Sequence, residues 1–269
     1  MKMKTIVTSL FWILMIACQE VPIDFPLQSQ NLNTLVVEGI LTNELINHRI
    51  KLSHPYTSQN GSSIPAIGAI VRVNDGTSSV FLTEMPAGSG EYYTPKVRAV
   101  FGRTYTLFIQ YQGKTYSAQD SSVPVEPLRP LDYRRVGEQY TLSLYRTGQD
   151  PNFIDHQINW SDTPSCNTGT TCNGRIVFYD LKTVDVNEIF KPEKAEFNFP
   201  VSSIVVRKKY SVSQAYKTFL RSMLSETEWR GGVFDVQRAN ATTNLSEGAI
   251  GFFAVSTVVS DTTIVVEKP

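Results

Sequence analysis

Short stretches of β-type residues, separated by turn residues, recur along this chain from Leu35 onward. Two of them, 69–73 and 79–83, flank Asn74-Asp75-Gly76, and another two flank Gln112-Gly113. Asp-Gly and similar pairs supply the positive φ angles of a tight turn between antiparallel strands. Valine, threonine, tyrosine and phenylalanine fit a pleated, half-buried surface. The pattern therefore predicts an all-β fold in which antiparallel sheets pack face to face.

The spacing of these signals predicts two β-sandwich-like domains. Residues 32–122 contain about seven short strand-like runs, which suits a small antiparallel sandwich. Residues 123–131 read VPVEPLRPL, with proline at every third position, and this favours a stiff extended segment. We expect 123–131 to be a linker and 132–269 to be a C-terminal β-rich domain.

The C-terminal domain is expected to contain one α-helix, over about 213–228. Ser213 is a suitable N-cap. The apolar residues that follow recur at helical spacing and form one stripe, comprising Tyr216, Phe219, Leu220, Met223 and Leu224. After the helix, the runs 249–259 and 262–266 are expected to pair as a hairpin around Ser260-Asp261.

The N-terminus predicts export and lipidation. Lys2 and Lys4 precede a mostly apolar run of 12 residues, 6–17, and Cys18 follows this run directly. This run is shorter than the roughly 20 residues that span a bilayer. A basic start, an apolar core and a small residue before a cysteine indicate a signal peptide over 1–17 and a lipid on Cys18. The alternative is an ordinary secretory peptide. Residues 18–31 are interpreted as a tether.

The remaining cysteines, Cys166 and Cys172, lie in the polar stretch SCNTGTTCNG. In an oxidising envelope an even pair predicts a disulfide, with free thiols as the alternative. Zinc usually needs four ligands, and the stretch has no second Cys or His pair. The histidines, His48, His54 and His156, show no third ligand, so we predict no metal site.

Composition and motifs argue against several function classes. Basic and acidic residues balance at 25 each, and removing Lys2 and Lys4 with the signal peptide leaves a slightly acidic chain. A nucleic-acid-binding protein would show a basic face. The chain has no Gly-x-Ser-x-Gly, His-Glu-x-x-His or phosphate-loop motif. We therefore predict a protein without enzyme activity, cofactor or nucleic-acid partner.

Two blocks resemble a known family. These are Leu35-Val36-Val37-Glu38-Gly39-Ile40-Leu41-Thr42 and the closing run 244–253, NLSEGAIGFF. With the lipidation signal, they are similar to Bacteroidota lipoproteins of domain-of-unknown-function family 4249 (DUF4249). Members often have two glycines where this chain has Glu247-Gly248. The order of signals in 65–107 also resembles the carboxypeptidase-regulatory, transthyretin-like sandwich.

The family resemblance implies an outer-membrane lipoprotein, on either face of that membrane, with no established catalytic residue. It implies a binding or accessory module, working with a TonB-dependent transporter in nutrient uptake. A structural or adhesion surface lipoprotein is one alternative. A glycan-active enzyme is another, and it would need an acidic pair from distant strands. Asp261-Thr262-Thr263 resembles an O-glycosylation acceptor used in such envelopes, which makes Thr262 a candidate modification site.

Overall fold

The computed structural model describes residues 33–56, 61–144, 149–167, 171–181, 197–227 and 241–268. The fold is mostly β and sandwich-like, and one helix lies among the described residues, so the predicted fold class is confirmed. The predicted signal peptide, Cys18 and the whole tether, 18–31, lie outside the described residues. Residues Asn33–Pro269 form one compact unit.

The first nine strands belong to two facing sheets. They are β1 (Leu35–Thr42), β2 (Ile46–His54), β3 (Ile64–Pro65), β4 (Ile70–Asn74), β5 (Ser79–Phe81), β6 (Thr83–Glu84), β7 (Glu91–Val97), β8 (Thr104–Tyr111) and β9 (Lys114–Ser121). Sheet A contains β1, β2, β3, β6 and β7, and sheet B has the order β5-β4-β8-β9. Alternating side chains of both sheets form one core, in which Leu35, Leu52 and Leu107 are fully buried. The hairpins predicted at Asp75-Gly76 and Gln112-Gly113 are confirmed.

The remaining strands form two further sheets and complete the first one. They are β10 (Tyr133–Val136), β11 (Gln139–Leu142), β12 (Asn152–Asn159), β13 (Asn173–Asp180), β14 (Asn198–Phe199), β15 (Ile204–Ser211), β16 (Ala249–Ser256) and β17 (Val258–Ile264). Sheet C has the order β10-β11-β14, and sheet D has the order β13-β12-β15-β17. A second core lies between them, around Ile158, Phe199 and Val205.

Strand β16 corrects two expectations. It lies beside β1 in sheet A, where the two strands are parallel along their whole length. Strand β17 instead pairs with β15 in sheet D, so the predicted hairpin of 249–259 with 262–266 is wrong. The division into 32–122 and 132–269 also needs correction, because a strand from the second part belongs to the first part's sheet. That the two parts of the chain are joined by a linker at 123–131 stays a prediction.

From Phe252 to Val255, both faces of β16 are buried, which explains the continuous apolar sequence of this part of the strand. Phe253 and Val255 point into the core between sheets A and B. Phe252 and Ala254 point into a third core, which helix α1 (Gln214–Thr227) covers together with Phe153 of β12. This strand therefore connects the two halves of the molecule.

Helix α1 follows the sequence pattern closely. The Tyr216 backbone N–H donates to Ser213 Oγ at 3.1 Å, so Ser213 is the N-cap. Tyr216 and Leu220 are buried, and Phe219, Met223 and Leu224 pack against the same core. The ring of Tyr216 stacks on Phe252 with centroids 4.9 Å apart. Among the described residues, no helix combines the length and the apolar character needed to cross a membrane.

Candidate functional site

The closing block 244–253, which resembles the family, connects strand β16 to its neighbours. Asn244 Nδ2 donates to the Phe253 carbonyl at 2.7 Å and to the Gln119 carbonyl at 3.0 Å, while Asn244 Oδ1 accepts from the Phe253 N–H. The amide therefore links β16 to β9 much as another strand would. Gly251 has φ +97°, and a Cβ there would lie 2.1 Å from the Val37 carbonyl oxygen. These residues therefore serve strand pairing, and the close approach of the two backbones at Gly251 leaves no space for a side chain.

The predicted disulfide between Cys166 and Cys172 is confirmed, with the two Cα atoms 5.7 Å apart. It closes part of the connection between β12 and β13. The Trp160 N–H donates to the Cys172 carbonyl at 2.9 Å, and the Cys166 N–H donates to the Thr163 carbonyl at 3.0 Å. The disulfide therefore holds the end of the β12–β13 hairpin in place.

Replacing Cys166 and Cys172 together by serine is expected to lower the free energy of unfolding by about 2 kcal/mol, because the short loop no longer restricts the unfolded chain. Urea denaturation of the variant and of the reduced wild type should give the same shift. The variant should not respond to reductant. Two alkylatable thiols in the unreduced wild type would contradict this prediction.

The three histidines lie apart and each has a hydrogen-bond partner. His48 Nε2 pairs with the Val97 carbonyl at 3.1 Å, and His156 Nδ1 pairs with the Ile176 carbonyl at 3.3 Å. Burial lowers the pKa of both imidazoles. His54 lies between the Thr34 carbonyl and the Tyr111 hydroxyl. In the described ranges, no three His, Cys, Asp or Glu side chains are grouped as a metal site would require.

Thr262, the candidate O-glycosylation residue, is exposed on β17, the edge strand of sheet D. It stands opposite Val206 of β15. Its neighbour Asp261 points to the other face of the sheet and binds Arg207 through both carboxylate oxygens. The hydroxyl of Thr262 is therefore accessible, whereas Asp261 also has a structural role.

Sheet D carries charges in positions that the sequence analysis did not single out. Arg207 and Lys209 lie on the same face of β15, and their side chains are 7% and 2% exposed. On the opposite face, Asp155 is equally buried and accepts two hydrogen bonds from Arg175, at 2.7 and 3.0 Å. Buried charges require such partners, because leaving water without them costs several kcal/mol per ion.

Arg207 and Lys209 hold the proline-rich segment 123–131 over sheet D. Arg207 Nη2 donates to the Arg129 carbonyl at 2.8 Å. Lys209 Nζ lies 3.9 Å from Glu126 Oε2, and the other oxygen of Glu126 accepts from the Gln149 N–H at 2.9 Å. The segment expected to be a plain linker is therefore attached to the C-terminal sheet.

Beneath this segment lies a cavity of about 40 Å³. Its lining includes Leu128, Leu142, Ile154, His156, Arg207 and Lys209. A cavity of this size holds about two or three water molecules. Pockets for small-molecule ligands are usually about 300 Å³ or larger. The buried cations therefore position the proline-rich segment, and the cavity beside them in the described part of the chain is smaller than a usual ligand pocket.

Sheet D also has an exposed apolar patch, formed by Ile204, Ile264 and Val266. Ile204 and Ile264 are direct cross-strand neighbours on β15 and β17. All three are exposed, and Val266 follows the buried Val265. An exposed apolar patch at a sheet edge offers a surface on which a protein partner can pack.

Fold and side chains together define a mostly-β, sandwich-like protein whose buried charges serve structure. The family model described as Domain of unknown function (DUF4249) matches residues 20–262. The chain belongs to this family, as its opening and closing blocks suggested. A search of curated proteins found no match to the sequence.

Proposed function

We propose that this protein is a lipid-anchored outer-membrane lipoprotein, of the kind found in Bacteroidota, that acts as a non-enzymatic binding or accessory module. The observation that carries the proposal is the N-terminal pattern of basic residues, apolar run and Cys18. Lipoprotein processing supplies the two or more acyl chains that stable anchoring needs. The resemblance of residues 65–107 to transthyretin-like sandwiches supports a binding role, since such modules usually have no active site of their own.

The proposed partner is a TonB-dependent transporter engaged in nutrient uptake. The buried polar and charged side chains are held in place by partners within the fold, and this supports a binding role over catalysis. Arg207, Asp155 and His156 each have partners that fix their positions. The patch of Ile204, Ile264 and Val266 supplies a surface that a protein partner would cover.

Replacing Cys18 by alanine is expected to release the protein from the membrane into the soluble envelope fraction, because the thiol that carries the lipid is lost. Cell fractionation and immunoblotting measure the change. The Cys166→Ser/Cys172→Ser variant is the matched control, since it removes cysteines and keeps the lipid. A Cys18→Ala variant that still fractionates with outer membrane would refute the anchor.

The transporter partner is tested by a mild-detergent pull-down through a C-terminal tag. We expect a TonB-dependent transporter in near-equal amount, and we expect Ile264→Asp to reduce its recovery by about tenfold or more. Phe101→Asp is the control, because Phe101 is 62% exposed, similar to Ile264 at 60%, and lies between β7 and β8. Recovery of the lipoprotein alone would overturn the transporter proposal and leave the anchor standing.

A further inference from the structure

The outer face of sheet B has an unusual set of side chains. Strand register places on it Ile70, Arg72, Asn74, Ser79, Phe81, Thr104, Thr106, Phe108, Gln110, Thr115, Ser117, Gln119 and Ser121. Hydroxyl and amide side chains dominate this described face, and Arg72 is the one charged residue on it. Typical globular domains contain about 25% charged residues overall, and most of these lie on the surface. The face therefore presents an uncharged polar surface with aromatic rings.

The centre of the face is a strip of side chains across all four strands. Phe81, Arg72, Phe108 and Ser117 are successive cross-strand neighbours on β5, β4, β8 and β9. Neighbouring strands are about 4.8 Å apart, so the strip is about 14 Å long. The Arg72 guanidinium lies over the Phe108 ring, 4.0 Å from its centroid, and donates to Ser79 Oγ at 3.2 Å. The positive charge of Arg72 therefore already has partners within the face.

Polar side chains flank the strip on both sides. On one side, Gln110 stands opposite Ile70 and Thr115, and neither Gln110 nor Thr115 has a side-chain hydrogen bond to other described residues. On the other side, Gln119 Nε2 lies 3.5 Å from Thr106 Oγ1, at the limit of a hydrogen bond. Amide and hydroxyl groups both donate and accept, so they match a ligand whose groups do the same.

The charges and chemistry of the face decide among ligand classes. Nucleic acid needs several cations to neutralise phosphates, and the face offers only Arg72. A membrane-binding surface needs basic residues around a larger apolar area. The cores of protein–protein interfaces are depleted in serine, whereas this face has three serines and three threonines. A neutral saccharide fits best, because its apolar C–H groups can cover Phe81 while its hydroxyls exchange hydrogen bonds with the flanking residues.

We propose that the outer face of sheet B binds a neutral saccharide chain, laid across the Phe81–Arg72–Phe108 strip. Gln110 and Thr115 bind its hydroxyl groups from one side. Phe81, 62% exposed at the end of the strip, provides the stacking surface. This inference is independent of the transporter proposal, since either binding activity can exist without the other.

The test is calorimetric titration of the lipid-free mature chain with neutral hexasaccharides of glucose, mannose and xylose, and with an anionic hexagalacturonate. We expect at least one neutral probe to bind with a Kd below about 1 mM and the anionic probe to bind at least tenfold more weakly. Phe81→Ala and Gln110→Ala should each weaken neutral binding, by about tenfold and about threefold. Phe101→Ala should bind as the wild type, because this equally exposed ring lies off the face.

Thermal unfolding shows whether each variant is folded. If Phe81→Ala does not fold, Gln110→Ala still tests the proposal. Failure of every neutral probe to bind the wild type overturns the proposal. Equal binding of the anionic probe, or an equal loss in Phe101→Ala, also overturns it. The transporter pull-down is scored separately, so one proposal can fail while the other survives.

Discussion

Gly251→Ala is expected to destabilise the protein by about 3 kcal/mol or more. The residue has φ +97°, a conformation that costs a non-glycine residue about 1–3 kcal/mol. The new Cβ would also lie 2.1 Å from the Val37 carbonyl oxygen, so β16 must move away from β1. Forced overpacking typically adds about 1–3 kcal/mol. Urea or thermal denaturation measures the change.

Gly76→Ala is the matched control for Gly251→Ala. Gly76 has φ +89°, but a Cβ there meets nothing within 4 Å. It therefore reports the cost of the backbone conformation alone, about 1–3 kcal/mol. The difference between the two variants isolates the close approach of β16 to β1. Equal losses in both variants would contradict the parallel pairing at this position.

Asp261→Asn is expected to cost about 3 kcal/mol, and more than Arg207→Met. The Arg207 side chain is 7% exposed, so removing the Asp261 charge leaves a buried cation without its carboxylate. Loss of one partner from a buried ion pair costs about 3–5 kcal/mol. Arg207→Met leaves Asp261, which is 35% exposed and can be hydrated, so about 1–2 kcal/mol is expected.

The double variant Arg207→Met/Asp261→Leu completes the comparison. Replacing a buried ion pair by apolar residues of similar size is often neutral or stabilising. The double variant should therefore be more stable than Asp261→Asn, with only the lost bond to the Arg129 carbonyl remaining. Denaturation of all three variants at neutral pH measures this order. A larger loss in Arg207→Met than in Asp261→Asn would show that the pair is not arranged as described.

Features set by neighbouring residues were predictable from the sequence. The helix over about 213–228, its N-cap Ser213 and its apolar stripe all appear in the structure. The hairpins at Asp75-Gly76 and Gln112-Gly113 and the Cys166–Cys172 disulfide also follow local signals. In each case the partners are within a few residues, so chain closure is inexpensive and the local pattern decides.

Features that depend on distant partners were not predictable in this way. The run 249–255 has no polar side chain, and this pattern fits a hairpin strand, a buried strand or a helix equally well. Its partner β1 lies more than 200 residues earlier, and no local turn specifies that pairing. The expected hairpin with 262–266 was therefore the nearest local solution and was wrong.

The burial of the charged residues of β15 was likewise not predictable from the local sequence. In the sequence, Arg207 and Lys209 look like solvent-facing residues, since charged residues are almost never fully buried without partners. Their partners Asp261 and Glu126 come from β17 and from the proline-rich segment, which only the folded chain brings together. The sequence by itself determined the β class, the helix over about 213–228, the short hairpins and the disulfide, because local sterics and spacing suffice for these. Tertiary structure alone decided which sheet β16 joins and which charges are buried, because both depend on contacts between residues far apart in the chain.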